Sequence, residues 1–270
     1  MINKLIGLPE LASEHGLLID NMLELLHWFM AALLFGWGLF YIFCLIRFRR
    51  SRNPKADYHG VRGHASTHIE IGVVIVEAVL LLGFAFPLWG KRVDDYPGTD
   101  PDVVKVRVVG ERFRWTMHYP GNDGKFGITR GELMPGSKFG LGIDPNDPYG
   151  KDDFVSGELI LPKDRNCIIE VSTKDVIHNL AIVPMRIQHD AIPGTPAHMW
   201  FKPTKTGEWD MICAQLCGSG HSAMKGALEV MEGADYDAWF KGKADNAMPE
   251  PIDELGDSGE TPPVKVSSNP

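Results

Sequence analysis

Hydrophobic residues form two long stretches near the start of the chain, whereas most of the remaining chain shows short apolar and polar alternation. The first stretch covers about residues 22–46, and the second, interrupted by Glu70 and Glu77, covers about residues 69–90. Each reaches the roughly 20 apolar residues that a helix needs to cross a bilayer. The pattern therefore predicts two transmembrane helices, and the alternative is a pair of buried helices in a soluble core.

The connection between the two stretches is strongly basic. It contains a single acid, Asp57, against the basic residues Arg47, Arg49, Arg50, Arg52, Lys55 and Arg62. Because positive residues in short loops stay on the cytoplasmic side, both termini are predicted to face outwards. The first residues show no signal-peptide pattern, so we expect the first membrane helix to act as its own insertion signal.

Beyond residue 92 the hydrophobic pattern becomes that of short strands separated by Gly, Pro, Asn and Asp, which predicts an antiparallel sandwich or barrel. Strands are predicted at 103–109, 112–119, 166–173, 179–183, 197–202, 209–213 and 227–231, with a short helix at 235–243. The segment 119–156 has little periodicity and is expected to be functional or flexible. The chain thus divides into a membrane part (1–92), an exterior domain (93–245) and a tail (246–270) that is expected to be disordered.

Charge separates the two main parts. Of the 27 Lys and Arg residues 9 precede residue 93, and of the 35 Asp and Glu residues 7 do, which leaves a net charge of −10 on residues 93–270. An acidic exterior steers a basic soluble partner, although the same charge also serves simple solubility. No nucleic acid is expected as a partner.

A run of soft metal donors stands near the end of the exterior domain. Cys213, Cys217, His221 and Met224 have the spacing C-x3-C-x3-H-x2-M. Thiolate, thioether and imidazole together favour copper, whereas structural zinc sites more often pair C-x2-C knuckles and contain no Met. Two cysteines four residues apart can bridge two ions, and His178 is the best candidate for a further ligand. The alternatives are a buried loop without metal and a disulfide between the two cysteines.

The remaining cysteines have no such neighbours. Cys44 lies in a predicted membrane helix and Cys167 in a predicted strand, so the two are expected to pack rather than to pair with each other. Four cysteines do not make a disulfide framework in a chain of this size.

The combination of a membrane hairpin, an acidic exterior domain and the motif H…C-x3-C-x3-H-x2-M resembles subunit II of haem–copper cytochrome c oxidases. The resemblance extends over about residues 20–245 and includes, in the family's order, the segments 175–179 (DVIHN), 188–194 (QHDAIPG) and 200–207 (WFKPTKTG). It implies an all-β, cupredoxin-like Greek-key sandwich. It also implies a bacterial inner membrane protein whose copper domain and both termini lie on the periplasmic side.

The resemblance further implies a dinuclear, mixed-valence copper centre (CuA) with no coordination position left for substrate. Cys213 and Cys217 would bridge the ions, His178 with Met224 would complete one copper, and His221 with the backbone carbonyl of Gln215 the other. Most of the family has Glu where this chain has Gln215, and that Glu side chain also helps to bind magnesium. Because an amide is a weaker, uncharged ligand, magnesium is doubtful in this chain.

Two aromatic residues and one carboxylate complete the set of candidate residues. At the position that the family uses to admit electrons this chain has Phe113, followed by Trp115; strand packing is the alternative role for both. Glu70 matches a Glu that marks the cytoplasmic entrance of a proton path into subunit I, and a hydrated interfacial carboxylate is the alternative. The resemblance implies no role for Glu77.

The function implied by the resemblance is that of the electron-accepting subunit of a terminal oxidase. Electrons from cytochrome c would pass through the copper pair to haem in subunit I, where oxygen is reduced and protons are pumped; subunit III is a further expected partner. The chain contains no C-x-x-C-H motif, so we expect the donor to be a separate protein. Rival interpretations are the copper subunit of a nitric oxide reductase, a metal-free subunit II of a quinol oxidase, and a membrane-anchored copper-storage or copper-transfer protein. The presence of all the ligand side chains disfavours the metal-free subunit.

Overall fold

Two long helices begin the structure, as the hydrophobic stretches predict. The computed structural model describes residues 2–55, 58–60, 63–137 and 140–247, so the predicted disordered tail lies, from residue 248 on, outside the described residues. The helices are α1 (Ile2–Leu5), α2 (Gly16–Arg47), α3 (Ala65–Leu80) and α4 (Phe86–Asp94), with a π-helical turn (Leu81–Ala85) that makes α3 and α4 continuous. The rest of the chain does not bury the apolar segment of either long helix. Both helices are therefore long and apolar enough to cross a membrane, and their surface suits contact with lipid.

The start of α2 and the end of α4 both contact the exterior domain. Residues just before α2 join it through backbone hydrogen bonds, in which Ala12 N–H donates to the Pro184 carbonyl at 2.9 Å. Asp20 in the first turns of α2 forms an ion pair with Arg186 at 2.7 Å. At the end of α4 the indole N–H of Trp200 donates to the Arg92 carbonyl at 3.1 Å. The N-terminal segment and the exterior domain therefore lie at the same end of the helix pair.

The exterior domain is a β-sandwich. Its strands within the described residues are β1 (Val104–Glu111), β2 (Arg114–Tyr119), β3 (Phe154–Ser156), β4 (Leu159–Pro162), β5 (Cys167–Thr173), β6 (His178–Ile182), β7 (Ile187–Ala191), β8 (Ala197–Phe201), β9 (Gly207–Cys213) and β10 (Lys225–Met231), followed by α5 (Gly233–Asp245). They form two five-stranded sheets in the orders β3-β2-β1-β5-β8 and β4-β10-β9-β6-β7. Alternate apolar side chains of both sheets meet in one core, as in cupredoxin-like sandwiches.

Two strand pairs of this sandwich are parallel, a departure from the antiparallel pairing that the sequence predicts. β1 runs parallel to β5, with Val104 opposite Cys167, and β4 runs parallel to β10, with Leu159 opposite Leu228. Parallel neighbours need a long connection, and the chain between the paired strands supplies it in both cases. Three strands, β3, β4 and β7, also had no predicted counterpart. All four residues of β4 are buried, so that strand shows no alternation in the sequence.

Carboxylates hold the described part of the insertion 119–156. Buried Asp153 accepts from the Gly127 N–H at 2.8 Å and lies 2.6 Å from Nε2 of buried His118. Asp144 accepts from the Arg130 guanidinium at 2.7 Å. These contacts give a segment without periodicity a defined path.

Replacing Tyr119 with phenylalanine tests how much one buried hydroxyl stabilises this sandwich. The Tyr119 hydroxyl donates to the Ile160 carbonyl at 3.1 Å and accepts from the Ile160 N–H at 2.8 Å. Without it both backbone groups are buried without a partner, so the free energy of unfolding should fall by about 1–3 kcal/mol in chemical denaturation. The exposed Tyr149 offers a matched Tyr-to-Phe control, for which a change within about 0.5 kcal/mol is expected. Equal effects of the two changes would contradict the prediction.

Candidate metal centre

Three strands of one sheet bring the predicted metal ligands together at one end of the sandwich. His178 opens β6, Cys213 closes β9, and Met224 comes immediately before β10. Since Leu180 pairs with Cys213, the first of these strands lies beside the second. The intervening loop is closed at its base, where the Cys213 N–H donates to the Met224 carbonyl at 3.1 Å. His178 and Cys213 are therefore strand residues, whereas Cys217, His221 and Met224 belong to a loop whose base is closed by this hydrogen bond.

The core of the cluster consists of His178, Cys213 and Cys217. Their ligand atoms all lie within 4.8 Å of one another, and all three residues are buried. The two sulfurs are 3.8 Å apart, and both cysteines are free. A disulfide needs a separation of about 2.05 Å, so the two sulfurs are not bonded to each other.

Each of the two sulfurs has further donors beside it. Cys213 Sγ lies 3.8 Å from Nδ1 of His178 and 3.2 Å from the backbone oxygen of Gln215. Cys217 Sγ lies 3.6 Å from Nδ1 of His221 and 3.8 Å from Sδ of Met224. The donor set is thus rich in sulfur and imidazole, which fits copper and does not fit the oxygen-ligated ions magnesium and calcium.

Both cysteines are withdrawn from solvent, with Cys213 7% and Cys217 6% exposed. Burial, together with the hydrogen bond to Cys213, raises the pKa of Cys217 to about 11. A pocket of this kind disfavours a bare thiolate, and a positive ion between the sulfurs offsets that cost. The residues present therefore fit a cationic metal of soft character.

Asp175 fixes the orientation of the His178 ring, a role that the sequence analysis did not assign. Its Oδ1 lies 2.9 Å from Nε2 of His178, so Nδ1 faces the sulfurs. Its Oδ2 accepts from the backbone N–H of Arg112 at 2.9 Å and from the guanidinium of the same residue at 3.1 Å. Although partial burial by itself raises the pKa of this carboxyl, the hydrogen bonds from His178, Arg112 and the Val176 N–H hold it well below its usual range. In the sequence, the carboxylate three residues before His178 was the signal that could have indicated this role.

The two aromatic candidates occupy different positions. The Trp115 side chain is only 3% exposed, and its ring meets that of His178 edge to face with centroids 5.8 Å apart. Gly110 permits this contact, because a Cβ there would lie 3.0 Å from the Trp115 ring. Phe113 is half-buried and covers the loop between β9 and β10, where a Cβ on Gly218 would lie 3.1 Å from the ring. Of the two rings, Phe113 reaches the surface.

The other predicted residues lie apart from the cluster's interior. The side chain of Gln215 is exposed, so only its backbone oxygen faces the sulfurs. Glu70 and Glu77 are exposed on α3, and Glu70 is in the part of that helix remote from the exterior domain. The structure thus brings together the five side chains that the sequence predicts as metal ligands and leaves Glu70 outside the group.

Comparison with known proteins gives one consistent family. Residues 103–231 match the family model of the periplasmic domain of cytochrome c oxidase subunit II. The alternative cytochrome c oxidase subunit 2 of Bradyrhizobium diazoefficiens is 28% identical over 227 residues, which cover 83% of this chain and 79% of the relative. Cytochrome c oxidase subunit 2 of Alkalihalophilus pseudofirmus is 26% identical over 82% of this chain and 57% of the relative. Among solved structures, the periplasmic domain of cytochrome oxidase subunit II of Bradyrhizobium japonicum is 26% identical, with a TM-score of 0.40, and the match covers 53% of this chain and 95% of that one.

Proposed function

Through residues 103–231 the chain belongs to the cytochrome c oxidase subunit II family, and we propose that it is the electron-accepting subunit of a terminal haem–copper oxidase. One observation carries this proposal: two adjacent buried thiols, one at the end of β9 and one in the loop that leads to β10, are each flanked by further donors. Such a cluster would surround a metal with protein ligands. It suits a centre that holds and releases single electrons without changing its shape.

The centre we propose is a pair of copper ions. Cys213, Cys217, His178, His221, Met224 and the backbone oxygen of Gln215 would hold them, with the two thiolates shared between the ions. When bound, two copper ions that share two thiolates spread one unpaired electron over both metals, so little geometric change accompanies electron transfer. The protein contributes fixed ligands, because Asp175 orients His178 and Trp115 packs against the same ring. The amide of Gln215 offers no anionic oxygen, so we propose no magnesium at this loop.

Electrons would reach this centre from a soluble protein such as cytochrome c and leave it for haem in subunit I. The net charge of −10 on residues 93–270 favours a basic donor. Phe113 lies between the surface and the ligand loop, so we assign to it, rather than to buried Trp115, the contact with the donor. Oxygen reduction and proton pumping then take place in subunit I.

The membrane part would dock against subunit I, with subunit III as a further partner. In the bacterial inner membrane the basic connection between the helices stays inside, which places the sandwich and both termini in the periplasm. Glu70 is then on the cytoplasmic side, where it is suited to admit protons to subunit I. The position of the N-terminal segment at the sandwich end of the helix pair supports this orientation.

Copper stoichiometry and spectroscopy test the proposal. The full-length chain in detergent, loaded with copper and freed of excess, should contain two copper ions and give an EPR signal delocalised over both. Reduced cytochrome c should bleach that signal in stopped-flow measurements. One copper per chain, or a signal localised on a single ion, would contradict the dinuclear centre. Uptake of nitric oxide in place of oxygen by the assembled complex would favour the nitric oxide reductase instead.

Replacing Asp175 with asparagine should weaken copper binding without dispersing the ligands. The change keeps the shape of the side chain and removes the charge that orients His178. Loss of such a partner of a ligand histidine typically costs about 10- to 100-fold in metal affinity. A competition titration with a copper chelator measures the effect. The exposed Asp210, paired with Lys225, provides a matched Asp-to-Asn control that should leave affinity unchanged; equal affinities for both variants would show that Asp175 does not support the site.

A further inference from the structure

An apolar cleft lies between the two long helices at the end next to the sandwich. Its volume is about 390 Å³. It is lined mainly by apolar residues of both helices and of the π-helical turn, namely Leu18, Met22, Leu25, Gly83, Phe84, Pro87 and Leu88. A cleft of this composition suits a hydrocarbon chain.

A polar cavity of about 300 Å³ adjoins this cleft. The two share Leu18 and Lys91, and the polar cavity then extends along Arg92 to Trp200 of the sandwich. Three cations and two carboxylates line it, and one carboxylate, Glu14, is already paired with Lys202 at 3.1 Å. Together, the apolar cleft and the polar cavity therefore have an apolar end and a cationic end.

Two buried nitrogen atoms at the cationic end have no hydrogen-bond partner among the described residues. They are Nη1 of Arg92 and Nδ1 of His15. The rest of the guanidinium is occupied, since it stacks 3.7 Å over the Trp200 ring and donates from Nη2 to the Trp200 carbonyl. The His15 residue is only 9% exposed. Buried polar atoms are nearly always hydrogen-bonded, so the pair indicates a polar group supplied from outside the chain.

His15 contributes no positive charge to this cavity near neutral pH. Burial and the positive charge of Arg92 lower the pKa of His15 to about 4. Recognition of an anion therefore depends on Lys91 and Arg92, while His15 adds a neutral hydrogen-bonding ring.

The two cavities lie at the depths in the membrane that are expected for the headgroup and the acyl chains of a lipid. Lys91 and Arg92 directly follow the apolar stretch 69–90. Exposed Trp89 and Tyr96 flank them, and such residues are typical of the membrane–water interface. The polar cavity thus lies at headgroup level and the apolar cleft at the level of the acyl chains.

We propose that the apolar cleft and the polar cavity together bind one phospholipid from the leaflet on the sandwich side. One acyl chain occupies the cleft between the helices, and the phosphate accepts hydrogen bonds from Arg92 Nη1 and Lys91. The lipid thereby links the helix pair to the sandwich at Trp200. The proposal depends on the two helices lying in a membrane but not on the copper chemistry.

Lipid retention by the full-length chain tests the site. After delipidation in mild detergent, the chain is titrated with phosphatidylglycerol, with diacylglycerol of the same acyl chains, and with inorganic phosphate, and native mass spectrometry counts the bound molecules. We expect one phosphatidylglycerol per chain and neither of the other two compounds at the same concentration. Lys91→Gln should weaken retention about fivefold, as is usual for one cation near a lipid surface.

A pair of glycine variants tests the apolar end without touching any charge. Gly83 lines the cleft, and a Cβ there meets only Val79, at 4.0 Å, so Gly83→Leu fits the helix and fills the cleft. Gly72 on α3 has no atom within 4 Å of its Cβ position and provides the matched Gly-to-Leu control. Gly83→Leu should reduce lipid retention at least fivefold and Gly72→Leu should not.

Three results would overturn the proposal: no lipid on the wild-type chain, equal retention by all these variants, or displacement of the lipid by inorganic phosphate alone. Arg92→Gln should show the largest loss, but it also disturbs the contact with Trp200, so the decision depends on Lys91→Gln and Gly83→Leu. Copper content, measured on the same samples, separates a failure of the lipid site from a failure of the proposed function.

Discussion

Replacing Cys217 with serine is expected to abolish copper binding by the full-length chain. The sulfur of Cys217 is the point at which the cluster converges, because it lies within 3.8 Å of Cys213, His221 and Met224. A hydroxyl in its place is a hard, weakly acidic ligand and cannot bridge two soft ions. Removing a residue that only hydrogen-bonds to a ligand lowers metal affinity about 10- to 100-fold. Removing the ligand itself should therefore lower copper affinity by more than about 100-fold. Copper analysis after gel filtration and a chelator competition measure the change.

Cys167 provides the matched control for this experiment. It is also buried, with 0% of its surface exposed against 6% for Cys217, but it lies in the sandwich core on β5, outside the predicted ligand cluster. Cys167→Ser should lower the stability of the sandwich and yet leave the copper content of the folded protein unchanged. If Cys217→Ser retains as much copper as Cys167→Ser, the cluster is not the copper site and the proposed function fails with it.

The candidate metal site could be predicted from the sequence because most of its residues are close together in the chain. Four of the five ligand side chains stand within one short run from Cys213 to Met224, and the type and spacing of those residues indicate soft metal binding before any fold is known. His178 was predicted because that run needs another imidazole, and the structure brings its Nδ1 to 3.8 Å from Cys213. Strands with one buried face, such as β1 and β5, were predicted within a residue or two by their alternation.

Features that depend on distant pairing could not be predicted in this way. Alternation does not show that β1 lies parallel to β5, because direction is set by the long excursion between them. Neither does it show β4, whose residues are all buried. The role of Asp175 depends on the direction of its side chain and on the Arg112 backbone, which lies in a turn 63 residues away in sequence.

Phe113 and Trp115 show how a strand boundary decides a role. The alternation predicts one strand over 112–119, in which residues two apart share a face. In the structure β2 begins only at Arg114, so Phe113 lies in the turn and covers the ligand loop, while Trp115 points into the core. A shift of two residues in the start of a strand thus separates a surface ring from a core ring.

Removing copper from the wild-type chain should lower the melting temperature of the sandwich by about 8–16 °C. The ligands come from β6, from the end of β9 and from the loop before β10, so the metal joins segments that separate on unfolding. An ion that binds only the folded state at 1,000 times its dissociation constant stabilises it by about 4 kcal/mol. For a domain of 150–250 residues each kcal/mol corresponds to about 2–4 °C. Differential scanning calorimetry of the full-length chain before and after treatment with a copper chelator measures the shift.

The Cys217→Ser variant tells whether that shift comes from the cluster. Its melting temperature should already resemble that of the copper-free wild type, and the chelator should not lower it further, since the variant has no metal at the site to lose. A chelator effect of the same size in both proteins would mean that copper stabilises the chain elsewhere. Unchanged melting of the wild type despite verified copper loss would mean that the sandwich holds the ligands in place without the metal, because the paired ends of β6 and β9 already fix His178 beside Cys213.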